Sequence, residues 1–213
     1  MFNDYYAKYL GIDNGIVIDN CIICRSANRD IPINQRFIYK IIITDYDGKR
    51  YISVSPAISD DVINNICIDI KDKDFDDILK SQQLSKTGLR LSKMYRMILD
   101  EVKYPQCSLR SDIEIEYLSE FRKYIIREND NIVSYCKVSN IDSGYGNIVV
   151  WTDENCRHNG FARGLLLKLL TMCKSEGIEP LYLVNRQNIA SIQLAQSIGF
   201  KTAQTEIVAC KEI

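Results

Sequence analysis

The feature that most constrains this chain is the loop Arg157-His158-Asn159-Gly160-Phe161-Ala162-Arg163, set between an unbroken apolar run and a helical apolar pattern. The first turn of a helix leaves backbone N–H groups without intrahelical acceptors, at the positive end of the helix dipole. A glycine there lets another molecule approach the backbone closely, and two flanking arginines add positive charge. The pattern predicts an anion site, and phosphate is the expected anion.

The flanks support a strand-loop-helix unit. Ile148-Val149-Val150-Trp151 predicts a strand covered on both faces. Ala162, Leu165, Leu166, Leu169, Leu170 and Cys173 recur at helical spacing, with Lys168 and Lys174 on the opposite side. Gly177 supplies a left-handed cap, Ile178 the apolar contact after it, and Pro180 the stop. A second unit follows. Leu181-Tyr182-Leu183-Val184 reads as a short buried strand, and Asn188 caps a helix carrying Ile189, Ile192, Leu194, Ala195 and Ile198. Gly199 ends that helix, and Phe200 opens a last strand region through Ala209.

Arg157-x-x-Gly160-x-Ala162 resembles the arginine/glutamine-x-x-glycine-x-glycine/alanine signature of the GNAT superfamily of N-acetyltransferases. Asn188, Ser191, Leu194, Gly199 and Phe200 resemble the same family's closing helix. The resemblance covers roughly residues 124–213. It implies that the loop binds the pyrophosphate of acetyl-CoA, and that the pantetheine arm lies in a cleft splayed open beside the preceding strand. It further implies direct transfer of the acetyl group to an amine.

On these residues, His158, Asn159, Gly160, Phe161, Ala162 and Arg163 would offer successive N–H groups to the two phosphates, with Arg157 beside them. Each charge-assisted hydrogen bond contributes about 1.5–3 kcal/mol. By the resemblance, Val150, Trp151 and Thr152 match the positions whose main chain pairs with the pantetheine amides and faces the thioester carbonyl. Asn188 matches the cofactor-contacting asparagine.

Two positions depart from the family pattern. Ala195 stands where many relatives carry a tyrosine that protonates the departing thiolate, and Leu183 where some carry a glutamate. Deprotonating an alkylamine at pH 7 costs about 4–5 kcal/mol, so a base or water relay is useful. Asp153, Glu154 and Tyr145 are candidates by their nearness to the strand-to-loop turn, although solvated loop positions are their commoner fate. Ser191, one turn after Asn188, is a candidate proton donor to the sulfur, as is water. An N3 serine more often bonds the helix terminus.

Other groups carry less. His158 is the only histidine, which excludes a histidine-based metal cluster, and no metal is expected. Cys21 and Cys24 lie three apart on a strand pattern and point to opposite faces, with no second pair to complete a four-cysteine site. Trp151 is expected to pack, and Arg157 to offset Asp153 and Glu154. The loop lacks the glycine-lysine-serine/threonine ending of a nucleotide-binding P-loop. A net charge of -1 gives no footprint for bulk nucleic-acid binding. Scattered cysteines, no signal peptide and no bilayer-length apolar run make the expectation a cytoplasmic protein with no membrane partner.

In the first half, residues 37–43 and 51–54 flank Asp45-Tyr46-Asp47-Gly48, a hairpin signal. Pro56 ends the second strand, residues 58–70 read as a helix, and residues 74–101 as helical or partly irregular. Residues 112–124 fit both a strand and a helix. The expected boundary lies near Tyr104-Pro105, giving an N-terminal α/β segment over 1–105 and a GNAT-like acetyl-CoA-binding domain over 106–213. The fold expected is α/β, a GNAT-like mixed central sheet flanked by helices. The first segment is expected to shape the acceptor cleft or a homo-oligomer interface. The activity expected is acetyl-CoA-dependent N-acetylation of a small-molecule, peptide or protein amine. The alternative is a catalytically lapsed acyl-CoA-binding regulatory or interaction module, which Ala195 and Leu183 would suit.

Overall fold

The structure is a computed structural model and describes residues 2–18, 20–33, 35–100, 109 and 113–213. The boundary expected near Tyr104-Pro105 lies outside these residues. The chain divides into two compact units. One comprises Met1–Arg96, Asn185–Gln187 and Ala203–Ile213, the other Met97–Val184 and Asn188–Thr202.

The first unit contains helix α1 (Phe2–Leu10), strands β1 (Ile16–Ile18), β2 (Cys21–Arg25), β3 (Pro32–Ile33), β4 (Phe37–Tyr46) and β5 (Lys49–Val54), helices α2 (Asp60–Ile70), α3 (Phe75–Ile78) and α4 (Gln82–Ser85), and most of β6 (Arg90–Leu99). The hairpin between β4 and β5 turns on Asp47 and Gly48, both at positive φ, 49° and 70°. That conformation matches the twist of paired strands and favours Asp-Gly. In α2, Asp60 and Asp61 favour the dipole's positive end, and Ile63, Ile66, Cys67 and Ile70 form one buried stripe. They pack with Ile41, Ile43, Ile52 and Val54 of the sheet. Alternate strand residues face the other way, where the Ser53 hydroxyl donates to the Leu10 carbonyl of α1 at 2.7 Å. The sheet is mixed, because β2 runs parallel to β5 while β4 is antiparallel to β5.

Residues 90–99 correct the expectation of helical or irregular structure, since they form a ten-residue strand. The misreading has a physical cause. Arg96 breaks the apolar alternation, yet it is 1% exposed and donates from Nε to Glu206, itself fully buried, at 2.7 Å.

The second unit carries β7 (Glu116–Leu118), β8 (Lys123–Glu128), β9 (Asn131–Asp142), β10 (Tyr145–Thr152), α5 (Phe161–Ser175), β11 (Glu179–Asn185, its last residue in the first unit), α6 (Ile189–Ile198) and the first residues of β12 (Phe200–Glu212). Strands β7 to β10 form an antiparallel meander, and β11 joins β10 in parallel. The ambiguous residues 112–124 thus include a short strand and a 3-10 turn. Helix α5 lies against β8, β9 and β10, burying Leu165, Leu166, Leu169 and Cys173. Its stop matches the reading. Gly177 has φ 68°, and the Ile178 amide reaches back to the Cys173 carbonyl at 2.8 Å. Each unit is therefore a mixed sheet with helices.

Candidate active site

The site begins where two strands part. Parallel pairing of β10 and β11 runs through Tyr145–Glu179, Gly146–Pro180, Asn147–Leu181 and Ile148–Tyr182, and goes no further. On its other side β10 stays paired with β9 through Thr152–Ser134. Val149 to Thr152 therefore keep one partner strand and present their remaining edge to a gap. Burial falls along the same stretch: Ile148 is buried, Val150 half-buried and Trp151 40% exposed. The expectation of a strand covered on both faces fails here, because the chain opens at its C-terminal end.

The gap is a cleft of about 460 Å³. Val150, Trp151 and Thr152 form one wall, and Arg157, His158, Gly160, Phe161, Ala162 and Arg163 the loop end. Asn188, Ala190, Ser191 and Leu194 come from α6, and Tyr182 from β11. Sequence-separated groups thus share one space.

The loop is shaped by left-handed residues. His158 has φ 67° and Gly160 φ 77°, and a Cβ on Gly160 would meet nothing within 4 Å. Both positions lie in the turn that carries the chain from β10 into α5. Among the described residues, the first paired amide of this stretch is Gly164, bonded to the Gly160 carbonyl at 3.0 Å. The Asn159 side chain braces the loop by donating to the Cys156 carbonyl at 3.2 Å, and the residue borders a neighbouring depression instead of the cleft. Arg157 lies 3.5 Å from Glu154, and its side chain remains 54% exposed. Arg163 donates to Ser197 of α6 at 3.1 Å.

Asn188 caps α6 by accepting the Ser191 amide at 3.1 Å, and Gly199 ends the helix at φ 114°. The Ser191 hydroxyl lies 2.8 Å from the Tyr182 phenol. Burial pushes that phenol up to about 12. Thr152 is committed elsewhere, its hydroxyl 2.8 Å from buried Ser134. Trp151 stacks on Tyr135 at 5.6 Å, so it packs on one face and borders the cleft as well.

Three positions fall outside the cleft wall. Tyr145 opens β10 at the end opposite Thr152, seven residues or roughly 23 Å away along an extended strand. Asp153 caps a 3-10 turn by accepting the Asn155 amide at 2.9 Å. Ala195 is wholly buried, and Ser191 and Leu194 take the cleft-facing positions of α6. Sequence reading missed Tyr182 and Cys156 as wall residues. The only signal for Tyr182 was a phenol inside an otherwise aliphatic strand. Among the described residues no three His, Cys, Asp or Glu side chains gather where they could hold a metal ion, and no helix is long and apolar enough to cross a membrane.

An acetyltransferase from the GNAT family of Colwellia psychrerythraea aligns over 100% of this chain and 97% of its own, at 10% identity and a TM-score of 0.50. A GNAT-family protein from Novosphingobium aromaticivorans aligns over 58% of this chain and 66% of its own, at 16% identity and a TM-score of 0.47. A GCN5-related N-acetyltransferase-like protein from Streptococcus suis aligns over 66% and 77%, at 15% identity and a TM-score of 0.49. No curated protein matches the chain. The model of the acetyltransferase (GNAT) family matches residues 91–200, starting upstream of the expected boundary. Since that span exceeds half of the 213 residues, the chain belongs to the GNAT acetyltransferase family, a membership that implies an acyltransferase.

Proposed function

We propose that the protein moves the acetyl group of acetyl-CoA to an amine of a small molecule, peptide or protein. The observation that carries this reading is the parting of β10 and β11 at Ile148–Tyr182, beside a cleft that Arg157, His158 and Gly160 to Arg163 also line. The fit is chemical as well as spatial. A strand edge with spare N–H and C=O groups suits an amide-bearing arm, and a glycine-bearing loop with unpaired amides at a helix N-terminus suits a pyrophosphate.

Bound acetyl-CoA supplies a thioester, an activated acyl group with a thiol as leaving group. The protein's own residues would do the rest. His158 to Arg163 would hold the phosphates through main-chain N–H groups, with the exposed Arg157 guanidinium adding charge. Val150 to Thr152 would align the arm, so that the acyl carbon meets the amine at a fixed point; orientation of this kind is a large source of acceleration. Asn188 is occupied in capping α6, which fixes Ser191 at the wall. No carboxylate among the described residues forms part of the wall, and water would take the proton from the amine. None of the described cysteines forms a disulfide, which suits the reducing cytosol where acetyl-CoA would be met.

Calorimetric titration with acetyl-CoA tests the binding half, and release of free CoA with a panel of amines tests transfer. Tight binding with amine-dependent release supports the reading. Folded protein that binds no acetyl-CoA contradicts it.

A further inference from the structure

The cleft contains a hydroxyl pair of which the sequence motifs single out only Ser191. Tyr182 is 4% exposed, and its ring leans on Phe200 with centroids 5.4 Å apart, so its phenol is fixed in place. Its oxygen lies 2.8 Å from Ser191, whose amide is held by Asn188. Both residues border the cleft, and Tyr182 is also the last β11 residue paired with β10. The pair therefore stands at the point where the strands part.

We propose that Tyr182 is a positioning residue that turns the Ser191 hydroxyl into a hydrogen-bond donor for the sulfur leaving the thioester, an inference that rests on the acetyl-CoA reading above. A phenol is the stronger donor of the two, so Tyr182 gives its proton to the Ser191 oxygen in the shared bond. Ser191's own O–H is then left for the cleft, and among the described residues it has no other acceptor. Tyr182 remains protonated throughout the neutral range, because burial pushes its phenol up, Ser191 pulls it down less, and Cys136 pushes it up slightly. The other hydroxyl on the wall, Thr152, is engaged by Ser134. The helix position that carries a phenol in relatives holds the buried Ala195.

In the transfer, the nitrogen–carbon bond forms as the carbon–sulfur bond breaks, and its electron pair goes to sulfur. Sulfur leaves as a thiolate held by the Ser191 O–H. The amine's proton goes to water, and the thiolate takes one from water after release.

The test uses binding alone. CoA and desulfo-CoA, which lacks the sulfur, are titrated into the full chain at about pH 7 and about pH 9, spanning the ionisation of an ordinary thiol. A donor at the sulfur favours the thiolate, so the parent's preference for CoA over desulfo-CoA should grow roughly tenfold toward the higher pH, the size of one charge-assisted hydrogen bond. Arg157, His158, Arg163 and Cys156 act on the phosphates of both ligands alike, and whatever they do to the thiolate is the same in parent and variants, so the change on substitution reports the hydroxyl pair. Cys136 near Tyr182 is held neutral by burial. Tyr182→Phe and Ser191→Ala should each flatten the preference while leaving desulfo-CoA affinity within about twofold. If Tyr182→Phe does not fold, Ser191→Ala decides. A preference that is flat in the parent, or unchanged in the folded variants, overturns the inference. A folded parent that binds neither ligand overturns the acetyl-CoA reading with it.

Discussion

Ile148 of β10 and Tyr182 of β11 are the last paired residues of two parallel strands, and the strand edge beyond Ile148 opens into a cleft. Residues at the N-terminus of α5 and the hydrogen-bonded Ser191 and Tyr182 line that same space. One parting of strands thus brings a glycine-bearing loop, an open backbone edge and a hydroxyl pair to one cleft. The consequences reach both units.

The first concerns the buried ion pair of the first unit. Arg96 and Glu206 are 1% and 0% exposed, and the Tyr6 phenol also donates to Glu206 at 2.9 Å. Arg96→Met leaves a buried carboxylate unpaired and should cost about 3–5 kcal/mol in a urea unfolding series. Adding Glu206→Gln should recover part of that loss. A single variant as stable as the parent would show that the pair contributes nothing.

Acid stability offers a second test. Asp69 accepts from Lys73 Nζ and from Ser81 Oγ, each at 2.5 Å, and these bonds, Lys73 first, hold its carboxyl below the usual range. A carboxyl depressed in the folded state stabilises fully above its unfolded value of about 3.9 and loses that contribution as pH falls through the folded value. Asp69→Asn should therefore lower the urea midpoint at neutral pH, and the gap to the parent should close in strong acid. A gap that is constant with pH would contradict the assignment.

Cys156 provides a footprint of the cleft. It borders the cleft half-exposed, and partial desolvation, followed by Glu128 at 3.6 Å, raises its thiol. Iodoacetamide should label it slowly near neutral pH and faster as pH rises, because the thiolate is the reactive form. Saturating acetyl-CoA should slow the labelling several-fold by peptide mass spectrometry, while buried Cys136 and Cys173 stay unlabelled. Bound acetyl-CoA that leaves the Cys156 rate unchanged would move the ligand away from this wall.

Truncation is the fourth case. A chain starting near Gln106 strips Ile207, Val208 and Ala209 of β12 from their β4 partners Ile43, Ile42 and Ile41, exposing an apolar strand edge. Such a chain should aggregate or fail to fold, seen by gel filtration and circular dichroism. A monomer with native-like spectra would show that residues 106–213 fold alone.

The sequence made the loop and α5 legible because their signals are local: glycines, caps and a 3.6-residue stripe lie within a few residues of the elements they control. Strand β6 was hidden because Arg96 satisfies its charge with Glu206, 110 residues away, a partner that no local pattern announces. The parting at Ile148–Tyr182 is a property of pairing between strands, so the family resemblance anticipated a splayed cleft while the residues of either strand alone did not mark it. Tyr182 escaped for the same reason, since its partner Ser191 sits on another element. Ala195 matched the family's spacing, yet its burial depends on how α6 rolls against its neighbours.

The most direct test of the central claim, that the Arg157–Arg163 loop holds the phosphates of acetyl-CoA, is calorimetric titration of Gly160→Asp. The position has φ 77° and open space around a Cβ, and aspartate tolerates left-handed backbone, so the fold should survive with a small shift in Tm. The new carboxylate would occupy and repel the anion's place, removing at least two charge-assisted hydrogen bonds and weakening acetyl-CoA by about 100-fold or more. Gly160→Asn, which adds bulk without charge, should lose less. Equal affinity in folded Gly160→Asp and parent would contradict the account.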